Sequence, residues 1–134
     1  MDCGGVCEAR TLPIDGVLLG EVLLRLRRDC PTSALRWTLG NRGVAEVDIA
    51  FTPTSTPGET GWTTTARLWP NTGLTVTAAT VRCTATGVDE VQVTLEATGG
   101  LGLVGLADLT RATVDELAEE LLWYATRAGL THRS

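Results

Sequence analysis

The stretch VQVTLEATGGLGLVGLADLTRATVDELAEELLWYATRA, residues 91–128, contains the change of hydrophobic period that decides the fold. In its first part Val91, Val93, Leu95 and Ala97 alternate with Gln92, Thr94 and Glu96. A two-residue period is that of a strand with one face buried and the other in water. From Leu106 the period becomes helical. Leu106, Thr110, Val114, Leu117, Leu121, Tyr124 and Ala128 recur at three and four, and Ala118, Leu122 and Ala125 widen the stripe. A one-faced stripe of this kind has to be buried, and the strands are the surface available to it. The stretch predicts an α+β chain in which a long C-terminal helix closes over an antiparallel sheet.

The start of that helix has two candidates, Asp108 as an N-cap or Thr113 with Glu116 as a capping box, and Gly129 suits the residue just past its end. Glu116, Glu119 and Glu120 fall on its solvent side as a charged face. Between strand and helix, Gly100-Leu101-Gly102-Leu103-Val104-Gly105 matches GxGxxG. A dinucleotide-binding unit also needs a parallel strand after the helix and an acidic residue to hold the ribose, and neither follows here. The glycines are expected to let the backbone turn sharply from sheet to helix.

Working back along the chain, threonine-rich segments of period two are separated by Gly, Pro and Asn at turn positions, as in a β-meander. Ala34 to Leu39 puts Leu35, Trp37 and Leu39 on one face, Gly40 to Gly43 supplies a turn, and Val44 to Thr52 returns with Ala45, Val47, Ile49 and Phe51 inward. Pro53 and the loop around Pro57-Gly58 end that strand. Gly61 to Trp69 alternates Trp62, Thr64, Ala66 and Leu68 with Thr63, Thr65, Arg67 and Trp69. Leu74 to Thr86 slips phase near Ala78-Ala79, which predicts a β-bulge there. Gly87-Val88-Asp89 then turns it into the strand at Val91.

Towards the N-terminus, Cys7 to Leu12 is expected to be a strand. Residues 14–29 are open. Leu19, Val22, Leu23 and Leu26 fit a helix, Val22, Leu24 and Leu26 fit a strand, Gly20 weakens the helix, and the abundance of Leu and Arg favours a short one.

Composition removes several function classes. The 134 residues fit one domain with its own core. Eleven arginines, with no lysine, stand against 16 acidic residues, and the net charge of -5 repels nucleic-acid phosphates and anionic lipid surfaces. The absence of lysine reads as coding bias of a GC-rich genome. The most apolar run, Val17 to Leu26, is broken by Gly20, Glu21 and Arg25 and is far short of the ~20 residues that span a bilayer. Met1 to Gly5 has no basic segment ahead of an apolar one, so a cytoplasmic protein without a secretory leader is expected.

Four cysteines are too few for a disulfide scaffold and are read as thiols. Cys3, Cys7, Cys30 and Cys83 lack the paired spacing of zinc knuckles, and His132 is the one histidine, so no metal is expected. Catalytic chemistry is equally unsupported. Arg36, Glu46, Asp48, Arg82, Glu90 and Glu96 all fall opposite the apolar faces, and no Ser-His-Asp or Cys-His set can be assembled. Cys83 falls on an inward face, as a small hydrophobe. No cofactor is implied.

The order of elements, with Phe51-Thr52-Pro53 through Gly58-Glu59-Thr60 into the next strand and Leu117-Ala118-Glu119-Glu120-Leu121-Leu122-Trp123-Tyr124 in the last helix, resembles the START-like helix-grip (SRPBCC) superfamily. The resemblance covers most of residues 7–128. It implies a curved antiparallel sheet gripping the final helix around an apolar cavity, in a superfamily whose members bind lipids, sterols or polyketides and include cyclases and aromatases. One helix and five following strands are found where that superfamily has two helices and six strands, so a smaller or more open cavity is implied. On this reading the chain binds a hydrophobic small molecule, with Trp37, Phe51, Trp62, Leu117, Leu121 and Tyr124 as wall residues and the Tyr124 hydroxyl at the mouth. The alternatives are a polyketide cyclase or aromatase acting by shape, and a homodimerising interaction module that uses Trp69, Trp123 or a sheet edge.

Overall fold

Alternation carries most of the chain into one curved antiparallel sheet. The computed structural model describes residues 5–54, 57–71, 76–98 and 105–127. The strands are β1 (Gly5–Leu12), β2 (Ala34–Thr38), β3 (Gly43–Asp48), β4 (Thr52–Pro53), β5 (Gly61–Pro70), β6 (Thr77–Gly87) and β7 (Glu90–Thr98). Two helices complete the set, α1 (Leu19–Asp29), entered through a 3₁₀ turn at Gly16–Leu18, and α2 (Leu106–Arg127). Strands run in the order β1-β7-β6-β5-β3-β2, with β4 also paired to β5. The N-terminal strand therefore lies beside the last one, with Gly5 opposite Thr98 and Leu12 opposite Val91.

The longer strands send alternate side chains to one inner face. Leu12, Ala45, Val47, Ala66, Leu68, Val81, Cys83, Val91, Val93 and Leu95 are buried there in one cluster with both helices. From α1 come Leu19, Val22, Leu23 and Leu26, and from α2 Leu106, Leu109, Val114, Leu117, Ala118, Leu121 and Ala125. The segment 14–29 is thus helical over Leu19–Asp29, and Gly20 is accommodated inside it. The outer face is threonine-rich and charged, as expected of the water side of an antiparallel sheet.

Several expectations need correction. Val44 to Thr52 is not one strand: β3 stops at Asp48, the chain bends at Ile49, and β4 resumes against β5 with Thr52 opposite Thr63. The bend keeps both Ile49 and Phe51 inward. No bulge occurs at Ala78-Ala79, where β6 pairs with β5 without interruption from Leu68–Thr77 to Gly61–Thr84. Thr77 takes a buried position and Val76 an exposed one, so the hydropathy pattern misplaced the phase. The register shift lies instead between Ala85 and Gly87, at the hairpin to β7. The early residues of the expected strand, from Leu74, lie outside the described residues.

Helix α2 begins before both proposed caps. Leu109 donates its N–H to the Gly105 carbonyl, and Gly105 has φ +82°, a left-handed conformation natural to glycine. Asp108 sits in the first turn, where a carboxylate complements the helix dipole. Thr113 is no cap. Its hydroxyl, like that of Thr110, donates to the carbonyl four residues back, Leu109 and Leu106 respectively, which allows both threonines to be fully buried. Gly100 to Val104, Ala128 and Gly129 lie outside the described residues.

Candidate functional site

The two candidates that meet do so beneath α1. The bend at Ile49 directs Ile49 and Phe51 to the inner face, and Trp62, near the start of β5, lies opposite Pro53 on one side and Cys83 on the other. A Cβ at residue 20 would stand 3.0 Å from the Trp62 ring, so the helix comes this close to the indole because residue 20 is glycine. Gly20, Leu23, Leu24, Arg27, Ile49, Phe51 and Trp62 enclose a hollow of about 20 Å³. That is room for about one water molecule. Of the described residues lining it, Arg27 alone is charged.

Tyr124 lies elsewhere. It borders a groove of about 330 Å³ between the C-terminal ends of α1 and α2, with Arg25, Asp29, Trp123 and Arg127. Partial burial holds its hydroxyl pKa above the usual 10.0, and the negative charges of Asp29 and Glu120 push in the same direction, with a smaller push from Cys30. Trp123 meets Tyr124 edge to face at 4.9 Å between ring centres, and the Arg127 guanidinium stands 4.7 Å from the Trp123 ring centre. On the other side of Trp123 a depression of about 550 Å³ is lined by Glu116, Glu119, Glu120, Leu122, Trp123, Tyr124 and Thr126.

The remaining candidates are placed apart from these two. Leu117 and Leu121 are fully buried in the core. Trp37 is half-buried on the edge strand β2, opposite Ala45, and packs against the core from that side. The residues that complete the hollow, Gly20, Leu23 and Ile49, were visible in the sequence as helix or strand positions. Nothing in their spacing joined them, because their meeting depends on where α1 crosses the sheet.

Several titratable groups take part in holding the fold together. Burial pushes the Cys83 thiol up to about 12. On the outer face Glu46 accepts hydrogen bonds from Arg67 and from Arg36, the latter at 3.4 Å, across three adjacent strands. The Arg67 hydrogen bond leads in holding the Glu46 carboxyl below its ordinary value, against a smaller opposing effect of burial. Arg36 also lies over the Trp69 ring at 5.4 Å. At the other edge, Glu8 and Arg10 point to the helix side of β1. Arg10 meets Glu119 at 2.9 Å and Asp115 at 3.5 Å, and Glu8 meets Arg111 at 3.6 Å. Among the described residues no three His, Cys, Asp or Glu side chains gather as a metal site. None of the described helices is long and apolar enough to cross a membrane.

An antiparallel sheet with its first and last strands adjacent, and a long C-terminal helix held on its inner face, settles the architecture. The chain has the helix-grip fold. No family model matches it, and no curated protein does. Among solved structures it is similar to norcoclaurine synthase from Thalictrum flavum, at 12% identity over 95% of this chain and 86% of that one, with a TM-score of 0.40. The superposition is loose, and the fold stands on the strand order and helix placement described above.

Proposed function

We propose that this chain is a binding domain for an apolar small molecule, seated beneath α1 where Phe51 and Trp62 meet. The observation that carries the reading is the hollow itself: apolar side chains from a helix, a strand bend and the sheet converge there, with one guanidinium at the rim. Convergent apolar lining with a single polar handle is the usual chemistry of small-molecule sites. At about 20 Å³ the hollow is too small for such a molecule as it stands, so binding requires it to widen, by displacement of α1 or of the Trp62 ring. Trp37, Leu117 and Leu121 lie in or against the core, apart from the hollow. Tyr124 lines a separate groove that shares no residue with the hollow.

Native mass spectrometry of protein purified from its own host tests this without a guess at the ligand. A co-purifying mass of a few hundred daltons, present under gentle conditions and lost on denaturation, supports the seat. A fluorescence titration with 1-anilinonaphthalene-8-sulfonate then locates it. Trp62→Ala, which enlarges the hollow, is expected to change probe affinity several-fold, whereas Trp123→Ala leaves it unchanged. No adduct and no response to Trp62→Ala would remove the reading. A cyclase or aromatase is less well supported, because such chemistry needs a proton donor and acceptor at the seat.

A further inference from the structure

The exposed face of α2 is arranged so that it complements itself. Trp123 is 51% exposed, a large loss of hydrophobic stabilisation for an indole that the core does not use. Its ring is nevertheless held in place, by Tyr124 at its edge and Arg127 over its face. Along the same face the helix's own charges are segregated: Glu116, Glu119 (paired on one side with Arg10) and Glu120 precede the tryptophan, and Arg127 follows it by four residues. Helical spacing of three and four keeps all five on one side, and the groove beyond Trp123 adds Arg25 from α1.

We propose that this face is a two-fold interface between copies of the chain, with α2 helices packed antiparallel and Trp123 near the axis. A two-fold axis makes the contact reciprocal, residue i of one copy meeting residue j of the other and j meeting i. Antiparallel packing about Trp123 brings each acidic turn, Glu116 to Glu120, opposite the other copy's Arg127, while parallel packing opposes like charges. The indole rings bury one another at the centre, where aromatic anchors dominate association, and the charges fix direction and register at the rim. The 550 Å³ depression beside Trp123 gives room for the partner's ring. The hollow beneath α1 is lined by none of these residues, so dimerisation and ligand binding fail independently.

Sedimentation velocity over a concentration series tests the proposal. Wild-type chain is expected to pass from the 14.2 kDa monomer to twice that mass in the micromolar range, with the dimer weakening at high salt. Trp123→Ala and Arg127→Glu are each expected to raise the dissociation constant at least tenfold with the helical circular dichroism unchanged. Adding Glu116→Arg, Glu119→Arg and Glu120→Arg to Arg127→Glu reverses all four charges of the face and is expected to restore association. A monomer at all concentrations overturns the proposal. So does a dimer indifferent to Trp123→Ala, or a charge reversal that restores nothing.

Discussion

Cys83 shows how far burial alone sets the chemistry of a side chain. It stands on β6 with zero exposure, between Trp62 on β5 and Val93 on β7. A thiolate there would lie in the core without compensation, so the thiol remains neutral up to about 12. Folded protein is therefore expected to leave Cys83 unlabelled by a thiol reagent at pH 8, while Cys30, half-buried after α1, reacts. Labelling of Cys83 at the rate of a free thiol would show that the sheet interior opens readily. The sign of the pH effect follows. A raised folded value gives stability that is whole below the ordinary thiol value of 9.0 and is lost as pH rises from there through about 12. Cys83→Val is expected to flatten that alkaline loss of stability in a denaturation series. The inward position of Cys83 was legible in the alternation of its strand. The position of Trp62 was equally legible, but its contact with Gly20 was not, because glycine reports no partner in a sequence.

Among the elements, α2 carries the clearest energetic contrast. Leu121 is fully buried, and Leu121→Ala is expected to cost ~2–5 kcal/mol in urea denaturation, from lost burial and the cavity left behind. Glu116→Ala, on the exposed face, is expected to stay within ~0.5 kcal/mol. Glu119→Ala removes the surface pair with Arg10 and is expected to cost at most ~1 kcal/mol. Equal effects at positions 121 and 116 would mean that the helix is rotated. The helical period showed this face correctly. It left out Leu109 and Thr113, which are also buried, the Thr113 hydroxyl donating to the Leu109 carbonyl in the preceding turn. The strands offer a second test at Glu46, whose ion pairs with Arg36 and Arg67 link β2, β3 and β5 and lower its carboxyl value. A depressed folded value gives stability present above the ordinary carboxylate value near 4.5 and lost as pH falls through the folded one. Glu46→Gln is expected to melt below wild type at pH 7, and the gap is expected to close in acid, as pH falls from the ordinary carboxylate value through the lower folded one. A gap that persists in acid would assign the loss to packing.

At the scale of the whole molecule, the first and last strands pair along their full length and α2 crosses from the end of β7 back alongside β1, with Glu8–Arg111 and Arg10–Glu119 setting the two in parallel. Most of the described elements thus depend on contacts distant in sequence. Unfolding is expected as one cooperative transition, with far-ultraviolet circular dichroism and tryptophan fluorescence tracing the same curve in urea. Two separated transitions would show that α1 or the β2 edge melts alone. The inward charges Glu8 and Arg10 on an edge strand also discourage edge-to-edge pairing, in keeping with an interface on helix α2 and not on β1.

The sequence by itself determined what repeats: the strands of period two, the helix of period 3.6, the order in which they follow, and, outside the start of β6 and the first turns of α2, the residues that each sends inward. Those depend on backbone geometry and hydropathy acting over a few residues. Tertiary structure alone decided that β3 breaks at Ile49, that β6 keeps its phase through Thr77, and that Phe51 and Trp62 meet beneath Gly20 while Tyr124 joins a different groove. Each of these is fixed by register between strands and by where a helix crosses them, and such long-range geometry leaves no periodic trace in the chain.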